Sequence, residues 1–264
     1  AASGSTFSIG TTTVTATATD DNGNSSTCSF DVTVVDTTVP TITCEAAPGT
    51  AEATSPSGAA VSYDVATATD IADDSVDITY SAASASTYAI GTTTVTATAT
   101  DDNGNVSTCS FDVVVTDTTV PTITCSDDIS TEATSSAGAS VSYDTTATDV
   151  GDASLDMTYS AASGSTFAIG TTTVTATATD DSGNVSTCSF DVTVADTTVP
   201  TITCATAPGT AEATSSSGAA VSYNAASASD IADDAVVITY SAASASTFAI
   251  GTTTVTATAT DDSG

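Results

Sequence analysis

One hexapeptide, Ile-Gly-Thr-Thr-Thr-Val, occurs four times in the chain, beginning at Ile9, Ile90, Ile169 and Ile250. The spacings are about 81, 79 and 81 residues, and a fixed period of that length means one small folding unit per repeat, not one large core. The chain therefore reads as the C-terminal part of a repeat over 1–36, complete repeats over 37–117 and 118–196, and the N-terminal part of a repeat over 197–264. Because it begins and ends inside repeats, it is expected to be an excerpt of something longer. No signal peptide or anchor is read in this window, and no apolar run approaches the roughly 18 residues of a membrane span.

Within one repeat the apolar residues recur at period two, which is the strand period. Pro40, Ile42 and Cys44 share a face, as do Val61 and Tyr63, and Val76, Ile78 and Tyr80. After a Ser/Ala-rich connection come Tyr88 and Ile90, then Gly91 as a turn. In the stretch Thr92 to Thr100, Val95, Ala97 and Ala99 alternate with threonines, and the last strand carries Cys109, Phe111, Val113 and Val115 on one side. Asn103-Gly104 between these two strands is a hairpin signal. About seven short alternating strands per repeat, with no helical period, predict tandem immunoglobulin-like antiparallel β-sandwiches arranged as an elongated array. With Ala at so many inward positions, the core is thin.

A second order lies above the short repeat. Pro48 to Glu52 returns at Pro208 to Glu212, and Ile71 to Asp74 returns at Ile231 to Asp234, at an offset of about 160 residues. Two repeat types therefore alternate.

Composition limits partners. The chain has 32 acidic residues and no Lys, Arg or His. Nucleic acid is excluded, because its binding depends on cations that replace phosphate counterions, and an anionic membrane surface is excluded likewise. An apolar fraction of 40% at strand spacing argues for folding and against disorder. The six cysteines, at 28, 44, 109, 125, 188 and 204, fall near the start and end of the units, as suits one disulfide per domain in an oxidising compartment. They lack the clustering of a zinc site.

Four linked motifs then carry a resemblance over essentially the whole chain. Asp36 to Cys44, Ile90 to Val95, the turn Asp102 to Asn105, and Cys109 to Val113 resemble the hyalin repeat family. That resemblance implies an immunoglobulin-like extracellular module, often in tandem and associated with adhesion. It also implies pairing of Cys44 with Cys109 and of Cys125 with Cys188, leaving Cys28 and Cys204 with partners outside this chain. The sequence departs from the family in lacking basic residues and bulkier core aromatics.

Catalysis is poorly served: with no His or Lys, and cysteines committed to disulfides, the usual nucleophile and base pairs are unavailable. Calcium is the stronger chemical expectation, since a hard cation takes several oxygen ligands and tolerates irregular loops. A sandwich places the start of its first strand, its second-to-third strand loop and its last hairpin turn at one pole. That gathers Asp36 with Asp70, Asp73, Asp74, Asp101 and Asp102. The equivalent sets are Asp117 with Asp149, Asp152, Asp180 and Asp181, and Asp196 with Asp230, Asp233, Asp234, Asp261 and Asp262. The plainer reading of the same residues is a solvated acidic pole. Glycosylation sequons stand at Asn24, Asn105 and Asn184, beside the hairpin turns. The functional expectation is a structural array of an extracellular or cell-surface fibre, stalk or adhesin, whose partners are neighbouring repeats or identical chains, with glycans carried on its surface. The alternative is a binding module whose Thr rows, such as Thr11 to Thr19 in alternation, contact glycan or ice.

Overall fold

The computed structural model describes residues 2–263, and every regular element among them is a strand. The chain divides into two compact units, one ending at Thr118 and the other beginning at Thr119.

The first unit opens on a hairpin, β1 (Gly10–Thr19) and β2 (Ser25–Val34), paired antiparallel along all of β1. The second repeat follows with β3 (Thr41–Thr43), β4 (Ala51–Glu52), β5 (Ala59–Val61), β6 (Thr67–Thr69), β7 (Asp77–Tyr80), β8 (Ser86–Tyr88), β9 (Gly91–Thr100) and β10 (Val106–Thr116). One layer is the four-stranded sheet β4-β10-β9-β7; the other is made of the pairs β3-β6 and β5-β8. Between them lies a core of Ala53, Ala59, Val61, Tyr63, Tyr88, Val95, Val113 and Val115.

The predicted alternation is present: Val95, Ala97 and Ala99 are fully buried while the intervening threonines face outward. Three details differ from the sequence reading. The sandwich is not wholly antiparallel, because β4 runs parallel to β10, Ala51 opposite Val115, and so covers an otherwise open edge. Gly91 is the first residue of β9, not a turn; at φ 115° it lets the chain cross from the layer of β8 to that of β9, a conformation that a side chain would disfavour. Ile90, just before it, is exposed.

The thin core is tied down by polar anchors. Tyr63 donates its hydroxyl to the carbonyl of Ala82, and its ring packs edge-on against Phe111 at 4.9 Å. Burial pushes the Tyr63 hydroxyl up to about 12, with the neighbouring Tyr88 adding to the shift. Cys44 and Cys109 form a disulfide across 5.8 Å between their Cα atoms, tying the layer of β3 to that of β10.

The second unit repeats the plan over residues 119–196. Ile129–Glu132 runs parallel to the last strand, Val185–Ala195, and Cys125 bonds Cys188. Val141, Phe167, Val174, Phe190, Val192 and Val194 form its core, and Tyr143 repeats the anchor by donating to the carbonyl of Ala161. Residues 197–263 supply Thr201–Thr203, Ala219–Ala220, Ser227–Ser229, Val237–Tyr240, Thr247–Phe248 and Ala257–Thr260. Among the described residues they hold no counterpart of β4 or β10. The cores of the third and fourth repeats are not wholly separate, because Ala232 is buried against the third repeat's core and Asp234 accepts from the Ser136 hydroxyl at 2.8 Å.

Candidate cation site at the linker pole

Asp36, Asp70 and Asp101 are residues just beyond the ends of β2, β6 and β9, and these strand ends meet at one pole of the second repeat. One carboxylate oxygen from each lies within 4.8 Å of the others. Two oxygens on a single calcium ion are at most about 5 Å apart, so the spacing fits one shared hard cation.

The turn after β9 fixes Asp101. Its buried carboxylate accepts from the amides of Asn103 at 3.0 Å and Asn105 at 2.7 Å, and from the Asn105 side chain at 2.7 Å. Asp36 accepts from the amide of Thr38 at 3.0 Å and from its hydroxyl, and from the Asn103 side chain at 3.4 Å. Those donors, the Thr38 hydroxyl first, hold the Asp36 carboxyl below its ordinary value. Asp70 accepts from the Ala72 amide at 2.8 Å. The three negative groups have no Lys, Arg or His in the chain to balance them.

The rest of the predicted set does not join this group. Asp73 accepts from the Asp102 amide at 2.6 Å, which ties the loop after β6 to the hairpin turn, and Asp74 is exposed. In the second unit Asp180 is buried and held by Asn184 through its amide at 2.7 Å and its side chain at 2.8 Å. Asp149 accepts from Gly151 at 2.6 Å, and Asp152 from Asp181 at 2.6 Å, as Asp73 does from Asp102. Asp117 follows the last strand of its repeat as Asp36 follows β2. Asp196 accepts from Thr198, Asp230 from Ala232 and Asp233 from Asp262, yet Asp196, Asp230 and Asp261 form no three-carboxylate group among the described residues.

Sequence reasoning missed the residues that orient the acids: Thr38, Asn103, Asn105 and Asn184. The signal was available, because an aspartate two to four residues before an Asn or Thr forms a local side-chain turn. The sequon asparagines have the same role. Asn24, Asn105 and Asn184 each donate the side-chain nitrogen to the turn aspartate, at 3.0, 2.7 and 2.8 Å. Asn24 is exposed, whereas Asn105 and Asn184 are half-buried.

These features define a class: tandem, disulfide-bonded immunoglobulin-like sandwiches with an acidic pole where one repeat passes into the next. The chain belongs to the HYR domain family, whose model matches residues 1–34, 35–115, 116–194 and 195–264. It is similar to Hyalin of Strongylocentrotus purpuratus, 35% identical over 248 residues, and to Hyalin of Lytechinus variegatus, 35% identical over 243 residues. Each alignment covers 88% of this chain, which spans 20% of the first relative's length and 46% of the second's. Among solved structures, the protocadherin gammaB7 EC3-6 cis-dimer aligns over 89% of this chain and 72% of its own, at 18% identity and a TM-score of 0.33.

Proposed function

We propose that this chain is a spacer segment of an extracellular adhesive or fibrous array, stiffened by calcium at the pole where the linker enters each sandwich. The observation that carries the reading is the convergence of Asp36, Asp70 and Asp101 with no basic residue anywhere in the chain. Asp36 belongs to the linker and the other two to the following sandwich, so a cation held by all three would fix the linker to the domain. The disulfides support an oxidising, extracellular setting, and neighbouring repeats or identical chains are the partners such an array needs. Nothing in the pole offers a nucleophile and base, and the chain is read as non-enzymatic.

Titration calorimetry and scanning calorimetry of the intact chain test the reading. Extracellular calcium modules bind at about 0.1–1 mM, so about 1 mM calcium should raise the melting temperature by several degrees through mass action. Asp70→Asn should remove most of that increase. No binding heat and no shift at millimolar calcium would reduce the pole to solvated surface.

N-glycosylation fits the same setting. Ser107, in the sequon position after Asn105, and Ser186, after Asn184, bury their hydroxyls without a hydrogen-bond partner. A buried unpaired hydroxyl costs about 1–3 kcal/mol, so folding gives no reason for a serine there, whereas a glycan acceptor recognised in the unfolded chain does. A glycosylated asparagine keeps one hydrogen on its side-chain nitrogen, which the bond to the turn aspartate would use. Intact-mass measurement on native material decides occupancy.

A second reading uses the outer face of the four-stranded sheet. Thr98 lies opposite Thr79 on one side and Thr108 on the other, a hydroxyl row across three strands. Such a row suits glycan or ice contact, and an ice-recrystallisation or glycan-binding assay with Thr98→Val tests it.

A further inference from the structure

The hairpin turn after β9 contains a reactive pair, Asn103 followed by Gly104. Both residues are exposed, and Gly104 has φ 88° with nothing within 4 Å of the place a Cβ would take. A glycine amide has no side chain beside it to shield its nitrogen, so an asparagine just before glycine is the kind that cyclises most readily. The same turn sets Asn103 against the linker. Its side-chain nitrogen donates to the Asp36 carboxylate at 3.4 Å, and its backbone amide donates to Asp101 at 3.0 Å. The third repeat keeps the turn but has Ser182 before Gly183, and a serine side chain offers no carbonyl carbon to attack.

We infer that Asn103 is a self-modification site, at which loss of the side-chain amide puts a further carboxylate against Asp36 and loosens the linker from the second sandwich. The Gly104 amide gives its proton to a solvent base, and its nitrogen attacks the Asn103 side-chain carbonyl carbon. The carbon–nitrogen bond of the side-chain amide breaks, and the leaving nitrogen takes up a proton from water and departs as ammonia. A five-membered succinimide remains, which water opens at one carbonyl to aspartate or at the other to isoaspartate. One water is consumed and one ammonia released, with no change of oxidation state. The Gly104 amide donates to the Asp101 carbonyl at 3.1 Å, so the reaction waits for that turn bond to open and is slow.

Either product replaces a donor facing Asp36 with an anion, and a like charge nearby disfavours the ionised form of Asp36. Isoaspartate also lengthens the backbone by one carbon between Asn103 and Asn105, whose amides the Asp101 carboxylate holds at 3.0 and 2.7 Å. The inference needs no cation at the pole.

The test ages the intact chain in chelator at mildly alkaline pH, with unaged chain as the reference. Reduction and chymotrypsin then release the peptide from Ala89 to Phe111 for mass spectrometry. The mass gain that exchanges an amide NH2 for OH is expected at Asn103, and not at Asn105 or Asn184, each of which precedes a valine. Carboxyl NMR of Asn103→Asp should place the Asp36 midpoint above that of the parent. It should also lie above that of Asn103→Ser, which loses the bond to Asp36 without adding a charge. Aged parent should develop the raised midpoint, and aged Asn103→Ser should keep its starting one. An Asn103 still intact when a synthetic peptide of residues 101–107 has fully converted at its own Asn-Gly pair would overturn the inference. So would an Asp36 midpoint no higher in Asn103→Asp than in Asn103→Ser. Every arm is run without calcium, so either failure leaves the cation reading of the pole untouched.

Discussion

Removing the disulfide of the second repeat measures how far its thin core depends on a covalent tie. Cys44 and Cys109 are 65 residues apart, and the chain-entropy relation assigns a loop of that size about 4 kcal/mol at 25 °C. That is a large share of what a small domain has, since stability runs at about 0.05–0.15 kcal/mol per residue. At roughly 4–8 °C per kcal/mol for a domain of 60–100 residues, the paired substitution Cys44→Ser and Cys109→Ser should lower the melting transition of that repeat by on the order of 20 °C. Cys125 and Cys188 are 63 residues apart, and the logarithmic dependence makes the two loops equivalent, so the matching pair of substitutions should produce the same loss in the third repeat. Scanning calorimetry of the two double variants beside the parent reads both shifts. A fall of less than about 5 °C would mean that sheet pairing and the tyrosine anchors suffice, and the argument from small-core marginality would be wrong.

Gly58→Ala should destabilise the second repeat by about 3 kcal/mol or more in urea titration, because the residue has φ 101° and an added Cβ would lie 1.8 Å from the Tyr88 carbonyl oxygen. Gly49→Ala, with nothing within 4 Å of the new atom, should be near neutral in the same assay. Burial holds the Tyr63 hydroxyl up to about 12 against an ordinary 10, so its contribution is fully present below pH 10 and disappears as pH rises through 12; Tyr143 is shifted upward as well by its burial, so ultraviolet titration should show late tyrosinates, and Tyr63→Phe should remove the Tyr63 share of that alkaline sensitivity. The Asp36 carboxyl is held below its ordinary 3.8, so the stability it contributes is present above that value and lost as pH falls through the lower folded value. Carboxyl NMR should place its midpoint under 3.8, and Thr38→Ala should move it back up.

Much of the acidic pole was legible because strand ends are legible. Once β2, β6 and β9 are placed from their period, the residues that follow them must meet where the strands end, and Asp36, Asp70 and Asp101 do. Which acids stay outside was not legible. The Asp73 carboxylate is spent on the backbone amide of Asp102, and that of Asp234 on the Ser136 hydroxyl, choices set by loop conformation and by contact with another repeat.

The sequence alone determined the repeat, the alternation that buries Val95, Ala97 and Ala99, and the absence of any internal cation. Tertiary structure decided which strand lies beside which. Ala51–Glu52 runs parallel to Val115–Thr116 and Ile129–Glu132 runs parallel to Val192–Ala195, whereas Thr41–Thr43 pairs antiparallel with Thr67–Thr69 in the other layer. A strand's backbone hydrogen bonds are made to another segment, so a period of two marks a segment as a strand and its inward face, while the choice of partner is made only when the layers close on each other.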